Sequence, residues 1–454
     1  MVVKTAVLKQ LEALFKEQGN SVLILYGRKE CEKEQLLNVY CQNKKYFYYR
    51  ARETEARQQL IYMEKEIQSR FQVAVSKQSY EEYFKRVKSG GPEKLVLVID
   101  EFDRIVKKDD SFWKAVVLLK EKKLYPGPVQ IILSTSNENW VEHELETGKK
   151  SDYDRFVEKK IKVGDLDFLE VVRAFPEYSV SECIKVYGIL GGTPLYINCF
   201  HAKRSIKENI CRTILSENGA LHHAVDDLLA GQLREKSVYH TILSCFTSGT
   251  QKLNDIYLKT GFSRAKISVY MKKLSEVGIL EKVHSFETGG WENAKKGVYR
   301  IRNPFVHFWF YFVYPNLSDF HFLGVEEFYE KHIAPDLDGY LNQYFSKVCE
   351  EYLSLLGKVG RLPMKVTKIG TWVGKEGTID VVMQNEIREM MVGVCNWSKP
   401  EFDPKMCQKM FENLEQAKIK PRFIFLFSAT TFAEEVKKMA KEDERFILVD
   451  MNEL

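Results

Sequence analysis

Four short, continuously apolar runs near the start of the chain constrain its fold more than any other feature: SVLILY from Ser21, YFYYRA from Tyr46, KLVLVID from Lys94 and VQIILSTS from Val129. Charged stretches with helical spacing separate them, ETEARQQLIYMEKEIQSRF being one, and SGGPEK turns the chain into the third run. A strand with one wet face alternates apolar and polar residues, whereas a strand apolar at every position is covered on both sides. The pattern therefore predicts a doubly wound α/β domain with a parallel sheet over residues 1–163. The opening segment carries Val7, Leu8, Leu11, Leu14 and Phe15 at helical spacing between Lys and Glu residues, which reads as an amphipathic helix and not as a signal peptide.

A chain of 454 residues that is 44% hydrophobic exceeds one ordinary core, so two or three domains are expected. From residue 164 the pattern turns helical and breaks at Gly191-Gly192-Thr193-Pro194, which predicts a helical lid over 164–233. Three short helices follow, the last from Ser263 to Glu276, then GILEKVHSFE and GVYRIRNP as two strands. That order predicts a winged helix-turn-helix over 234–304. After PNLSDF, read as a linker, the helix LNQYFSKVCEEYLSLLG leads to the strand runs GTIDVVMQ, REMMVGVCNWS and RFIFLFSA and the helix TFAEEVKKMAKE. These predict a second α/β domain within 305–454. The aromatic run FWFYFVY from Phe308 fits a buried strand or a buried helix, and no apolar run approaches the length of a membrane span. Nine cysteines without close metal-type pairs point to reduced thiols, a cytoplasmic protein and no metal site among them.

The stretch GRKECEKE follows the first apolar run, where an α/β sheet places a phosphate-binding loop. Against the pattern G-x-x-x-x-G-K-[ST], Gly27 and Lys33 are in register, while Glu32 and Glu34 replace the second glycine and the hydroxyl residue. Glycine there supplies positive φ and close backbone approach, and the hydroxyl ligates magnesium. With Glu30, three carboxylates sit in a loop built for an anion. One unit charge about 4 Å from another costs about 4 kcal/mol at an effective dielectric of about 20, roughly a thousandfold in affinity. The loop is thus expected to carry its own anion where phosphate would lie, with Arg28, Lys29 and Lys33 offsetting part of the charge. The third run delivers Asp100 and Glu101 at a strand end, where an ATPase would place a magnesium-holding carboxylate and a water-polarising one. A later strand ends in Ser134, Thr135, Ser136 and Asn137.

The order LILYGRKECEKEQLL, LVLVIDEFD, IILSTSN, LDFLEVVRAFP, YGILGGTPLYI resembles the archaeal-type ATPases of the AAA+/STAND class, and the resemblance runs through YRIRNPFVHFWFYFVYPN into the last domain. It implies ATP with magnesium as cofactors and catalytic roles for Asp100 and Glu101; Gly27, Lys33, Asp100 and Glu101 match the family, Glu32 and Glu34 depart from its Gly-Lys-Thr, and the candidate cofactor contacts are Gly27, Lys33, Glu34, Asp100, Asn137 and Pro194. Gly192 and Pro194 match the Gly-x-Pro element of that family's lid. Its C-terminal domain is similar to restriction-endonuclease-like (PD-(D/E)XK-like) folds, which implies a nuclease aspartate at Asp380 and a helix glutamate at Glu350 or Glu351. The Glu-x-Lys position falls on Val394-Cys395-Asn396, where neither a metal ligand nor the lysine charge is present.

A net charge of +5, from 68 basic and 63 acidic residues, permits a nucleic-acid partner. The third helix of the winged unit offers Arg264, Lys266, Lys272 and Lys273 as DNA-binding candidates. The wing adds Lys282, His284, Lys295, Lys296 and Arg300. The expected function is a degenerate ATPase-family scaffold, weakly hydrolysing or inert, that binds DNA or a protein partner and no membrane. The alternatives are a working ATP switch using Lys33, Asp100 and Glu101, with Glu34 holding magnesium, and a metal-dependent nuclease.

Overall fold

The apolar runs form strands β1 (Ser21–Tyr26), β2 (Tyr46–Arg50), β3 (Leu95–Asp100) and β4 (Val129–Thr135), joined by a short β5 (Lys159–Lys162) that the polar sequence KKIK did not announce. All five are parallel, in the order β2-β3-β4-β1-β5. This is a computed structural model, and it describes residues 2–451 apart from 76, 88–92, 126, 146–154, 233–234, 248–251, 287–296 and 375–376.

Period two sorts each strand between two cores. Val22, Ile24, Leu97, Ile99, Ile131 and Leu133 join the cluster that contains Met63, Ile67, Phe84, Phe112 and Trp113 from the helices Ala56–Phe71, Tyr80–Arg86 and Ser111–Lys120. Leu23, Leu25, Val96, Val98 and Ile132 join the opposite cluster, with Leu11 and Leu14 of the helix Thr5–Lys16 and Leu36, Leu37 and Tyr40 of the helix Lys33–Cys41. Each fully buried aliphatic side chain contributes about 1.5–3 kcal/mol relative to exposure, so a strand apolar throughout is anchored from both sides. The order also decides the site: β4 lies between β1, which leads into the loop, and β3, which delivers the carboxylates.

This sheet and its helices make one compact unit, Met1–Asp165 with Thr193–Leu195; the second comprises Leu166–Gly192 and Tyr196–Leu454. In the second unit, helices Phe168–Ala174 and Val180–Leu190 begin with reciprocal capping boxes, Asp167 with Glu170 and Ser179 with Glu182. Helices Lys236–Thr247, Leu253–Thr260 and Arg264–Glu276 precede the antiparallel pair β6 (Leu280–His284) and β7 (Gly297–Ile301). The aromatic run is helical, through Pro304–Phe308 and a wider turn Trp309–Val313, started by Asn303, whose Oδ1 accepts from Phe305 N and Val306 N at 3.0 and 3.2 Å. PNLSDF is not an extended linker: the turn Tyr314–Asn316 runs into the helix Leu317–Phe322.

A second sheet has the order β14-β12-β10-β9-β8, from β8 (Lys368–Val373), β9 (Thr378–Gln384), β10 (Met390–Asn396), β12 (Pro421–Ser428) and β14 (Phe446–Asp450). β10, β12 and β14 are parallel; β9 runs antiparallel to β10 and to β8. The two-residue strands β11 (Glu401–Phe402) and β13 (Thr431–Phe432) pair separately. Three of the five strands are the runs read from sequence. β8 and β14 are not, and neither is the helix Pro404–Ala417 that packs on this sheet.

Candidate functional site

At the C-terminal edge of the first sheet, β1 ends at Tyr26 and Gly27 passes against β5. A Cβ at Gly27 would lie 2.2 Å from the Val163 carbonyl oxygen, so the position requires glycine. Arg28 N donates to Glu138 Oε1 at 2.9 Å. Lys29–Cys31 then makes one tight turn, in which Cys31 N donates to Arg28 O and Glu32 N to Lys29 O, both at 3.1 Å. Glu32 takes φ 50 and ψ 46, the left-handed geometry of the glycine it replaces, and the helix Lys33–Cys41 starts behind it. Three loop amides, those of Arg28, Cys31 and Glu32, are therefore bonded within the protein.

Lys33 is equally committed. Its Nζ, in a side chain left 4% exposed, donates to Gly27 O at 2.6 Å, Ser136 Oγ at 3.0 Å and Arg28 O at 3.3 Å. Burial lowers the ammonium's pKa, and Glu101 and Asp100 oppose that effect. Ser136 passes the chain on: its Oγ donates to Glu101 Oε1 at 2.6 Å and its N to Oε2 at 3.3 Å. Glu101 itself has φ 53, a conformation uncommon for a residue with a Cβ, which turns its carboxylate toward β4.

Asp100 accepts from Tyr48 Oη at 2.9 Å and faces Arg50 Nε at 3.6 Å, while Arg50 Nη1 pairs with Glu34 Oε2 at 2.6 Å. Burial first, and Asp100 after it, hold the Tyr48 hydroxyl protonated well above its ordinary range. Within the same unit, Arg28 Nη2 lies 2.7 Å from both oxygens of Asp165, which also accepts from Thr193 Oγ1 at 3.0 Å. Burial works against the Arg28 cation, but Asp165 and other nearby acidic groups raise its pKa above the usual value. Asn137 caps the next turn, its Oδ1 accepting from Trp140 N at 3.1 Å, and Pro194 is buried.

These contacts revise the expected electrostatics. The carboxylate that meets a loop amide is Glu138, which follows β4 and was not singled out from the sequence; Glu32 accepts from the Gln35 amide, and Glu34 is turned to Arg50 instead of toward a metal position. Glu30 Oε2 is buried without a hydrogen-bond partner among the described residues. Ser136, the bridge between Lys33 and Glu101, also went unassigned, although it stood in the polar end STSN of the fourth run. Magnesium-ATP bound here would meet Glu138 on the Arg28 amide, would draw Lys33 from three acceptors at about 1.5–3 kcal/mol per charged hydrogen bond, and would find no hydroxyl at position 34.

In the last domain, Asp380 lies on β9 and its Oδ2 accepts from Cys395 N at 2.9 Å; burial pushes its pKa up to about 6, against the effect of that hydrogen bond. The two helix glutamates serve elsewhere. Glu350 pairs with Lys347 at 3.3 Å, and Glu351 accepts from Phe168 N at 2.8 Å and Tyr187 Oη at 2.7 Å. Asn396 closes the turn after β10, accepting from Lys399 N at 3.1 Å. Among the described residues no group of three His, Cys, Asp or Glu side chains is placed to hold a metal ion. Asp380 thus faces a backbone amide of β10, while Glu350 and Glu351 are engaged by other partners.

On the helix Arg264–Glu276, Ile267, Met271 and Leu274 are buried, while Arg264, Lys272 and Lys273 are exposed and Lys266 is half-buried. Lys272 and Lys273 lie 4.0 and 3.4 Å from Glu276, and Arg264 donates to Asn254 Oδ1 at 2.9 Å. Of the residues expected on a wing, Lys282 and His284 lie on β6 and Arg300 on β7; Lys295 and Lys296 lie outside the described residues. No helix among the described residues is long and apolar enough to cross a membrane.

Residues 309–419 match the DUF234 family, described as archaeal and bacterial proteins of unknown function. The chain is 26% identical over 381 residues to the uncharacterized protein MJECL04 of Methanocaldococcus jannaschii, covering 84% of this chain and 83% of that one. Among solved structures it is similar to the Walker-type ATPase PABY2304 of Pyrococcus abyssi, at 15% identity and a TM-score of 0.47 over 68% of this chain and 95% of that one. It is also similar to the Aeropyrum pernix ORC2 protein, at 11% identity and a TM-score of 0.41 over 74% and 92%. A parallel sheet whose first strand feeds a loop and helix, with Asp100 and Glu101 ending a strand beyond β4, gives the N-terminal unit its class. The fold is P-loop NTPase-like.

Proposed function

We propose that the chain is a nucleotide-independent relative of the archaeal-type ATPases of the AAA+/STAND class, a scaffold that binds DNA through the helix Arg264–Glu276 of a winged helix-turn-helix. The observation that carries the first half is the use of Lys33: the cation that would reach a nucleotide's outer phosphates is spent on Gly27 O, Arg28 O and Ser136, and through Ser136 on Glu101. A cation already held by three acceptors supports the fold and gains little from a guest.

The DNA half rests on charge and order. Arg264, Lys266, Lys272 and Lys273 stand against one acidic residue, Glu276, on a helix that follows two others and precedes the β6-β7 hairpin. Such a helix suits a major groove, with cations along the phosphates.

Fluorescence anisotropy with a mixed-sequence duplex tests both halves. The expected result is binding at about 50 mM salt that weakens with a log-log slope of about −3, a slope reduced by about 1 for Lys272→Ala and again for Lys273→Ala, and unchanged by about 1 mM magnesium-ATP. Absence of binding at low salt refutes the DNA half. A more than about twofold change on adding ATP refutes the nucleotide-independent half.

A further inference from the structure

The helices Pro404–Ala417 and Glu434–Glu442 cover one face of the second sheet and leave a groove of about 420 Å³ between them. Its floor is apolar, with Val436 buried, Met439 half-buried and Phe411 43% exposed. The Phe411 and Phe446 rings stand nearly perpendicular with centroids 6.2 Å apart, a contact that holds a large aromatic side chain at the surface. The rim is acidic: Glu412, Glu415 and Glu435 line the groove and no lining residue is basic, in a chain where basic residues outnumber acidic ones. Lys409 pairs with Glu412 at 3.5 Å, whereas Glu415 and Glu435 have no ion-pair partner among the described residues.

We propose that this groove docks an amphipathic helix of a partner protein, whose apolar stripe seats on Phe411, Val436 and Met439 and whose flanking Lys or Arg residues pair with Glu415 and Glu435. Two helices with an apolar channel between them receive a third helix through side chains at i, i+3, i+4 and i+7. A small-molecule site would instead place a few buried polar groups to orient its ligand, and here the charged groups stand exposed at the rim. The negative rim rejects DNA and acidic peptides, so this surface is separate in chemistry from the basic helix Arg264–Glu276.

The test uses the full chain and two fluorescein-labelled peptides of about 18 residues with the same helical leucine stripe, one filled with lysine and the other with glutamate. The lysine peptide is expected to bind in the micromolar range and the glutamate peptide not to bind. Phe411→Ser and, separately, Glu415→Lys with Glu435→Lys should each weaken the lysine peptide at least about tenfold, and the charge reversal should create binding of the glutamate peptide. Equal binding of both peptides, or an affinity indifferent to both variants, overturns the proposal. A self-association abolished by Phe411→Ser in sedimentation velocity also overturns it, by assigning the groove to a second copy of the chain.

Discussion

Replacing Lys33 by methionine separates a structural cation from a catalytic one. Methionine keeps most of the volume of the buried stem and removes only the charge and its donors. The ammonium makes three hydrogen bonds and stands near two buried carboxylates, Asp100 at 4% and Glu101 at 8% exposure. Removing one member of a buried charged network leaves the others unpaired, at about 3–5 kcal/mol. Arg50 still faces Asp100 and Ser136 still donates to Glu101, so the lower end, about 3 kcal/mol, is expected. Glu101→Gln in the Lys33→Met background removes the stranded anion and should recover at least about 1 kcal/mol of that loss, a coupling within the range of contacting residues. Because the chain has two compact units, global unfolding is not a two-state quantity, and amide exchange in β3 and β4 reports the loss locally. A Lys33→Met protein that loses less than about 0.5 kcal/mol of protection, or a Glu101→Gln change that adds to the loss, refutes the reasoning.

Three further outcomes follow from the geometry. Glu32→Gly relieves a left-handed conformation and should be neutral or stabilising by up to about 1 kcal/mol in the amide-exchange protection of the helix Lys33–Cys41, unlike a typical replacement by glycine. Asp380 is an acid whose pKa is raised on folding, so it costs nothing below its unfolded pKa near 3.8; the penalty grows from there and is complete, at about 3 kcal/mol, above the folded value of about 6. Asp380→Asn should therefore gain on the wild type between about pH 4 and 6.5 in thermal melts, and parallel curves would remove the explanation. Gly192→Ala places a Cβ 1.9 Å from the Leu166 carbonyl oxygen and should cost at least about 2 kcal/mol of amide-exchange protection in the helix Val180–Leu190.

The parallel sheet was legible because its strands are apolar at every position, a pattern that few other environments tolerate. β5 and β8 were not, since KKIK and KIGTWV carry the polar residues of edge strands whose burial is partial. The aromatic run was undecidable by period, and its helix was announced only by Asn303 and Pro304 ahead of it. Within the site, the sequence correctly placed Gly27 and Lys33 on one loop and Asp100 and Glu101 at a strand end. It did not show that β4 would interpose Ser136 and bring Glu138 onto the loop, because those contacts depend on strand order and not on spacing. The expected excess of carboxylates in the loop was half the story: Arg50, from the end of β2, draws Glu34 away.

Isothermal titration of magnesium-ATP into the full chain addresses the central claim, that this phosphate loop has its own groups bonded where a nucleotide would bind. No saturable heat up to about 1 mM is predicted for the wild type, with binding gained by at least about tenfold in the Glu32→Gly, Glu34→Thr and Glu138→Ala triple variant. Saturable wild-type binding tighter than about 10 µM, lost on Lys33→Ala, would contradict it.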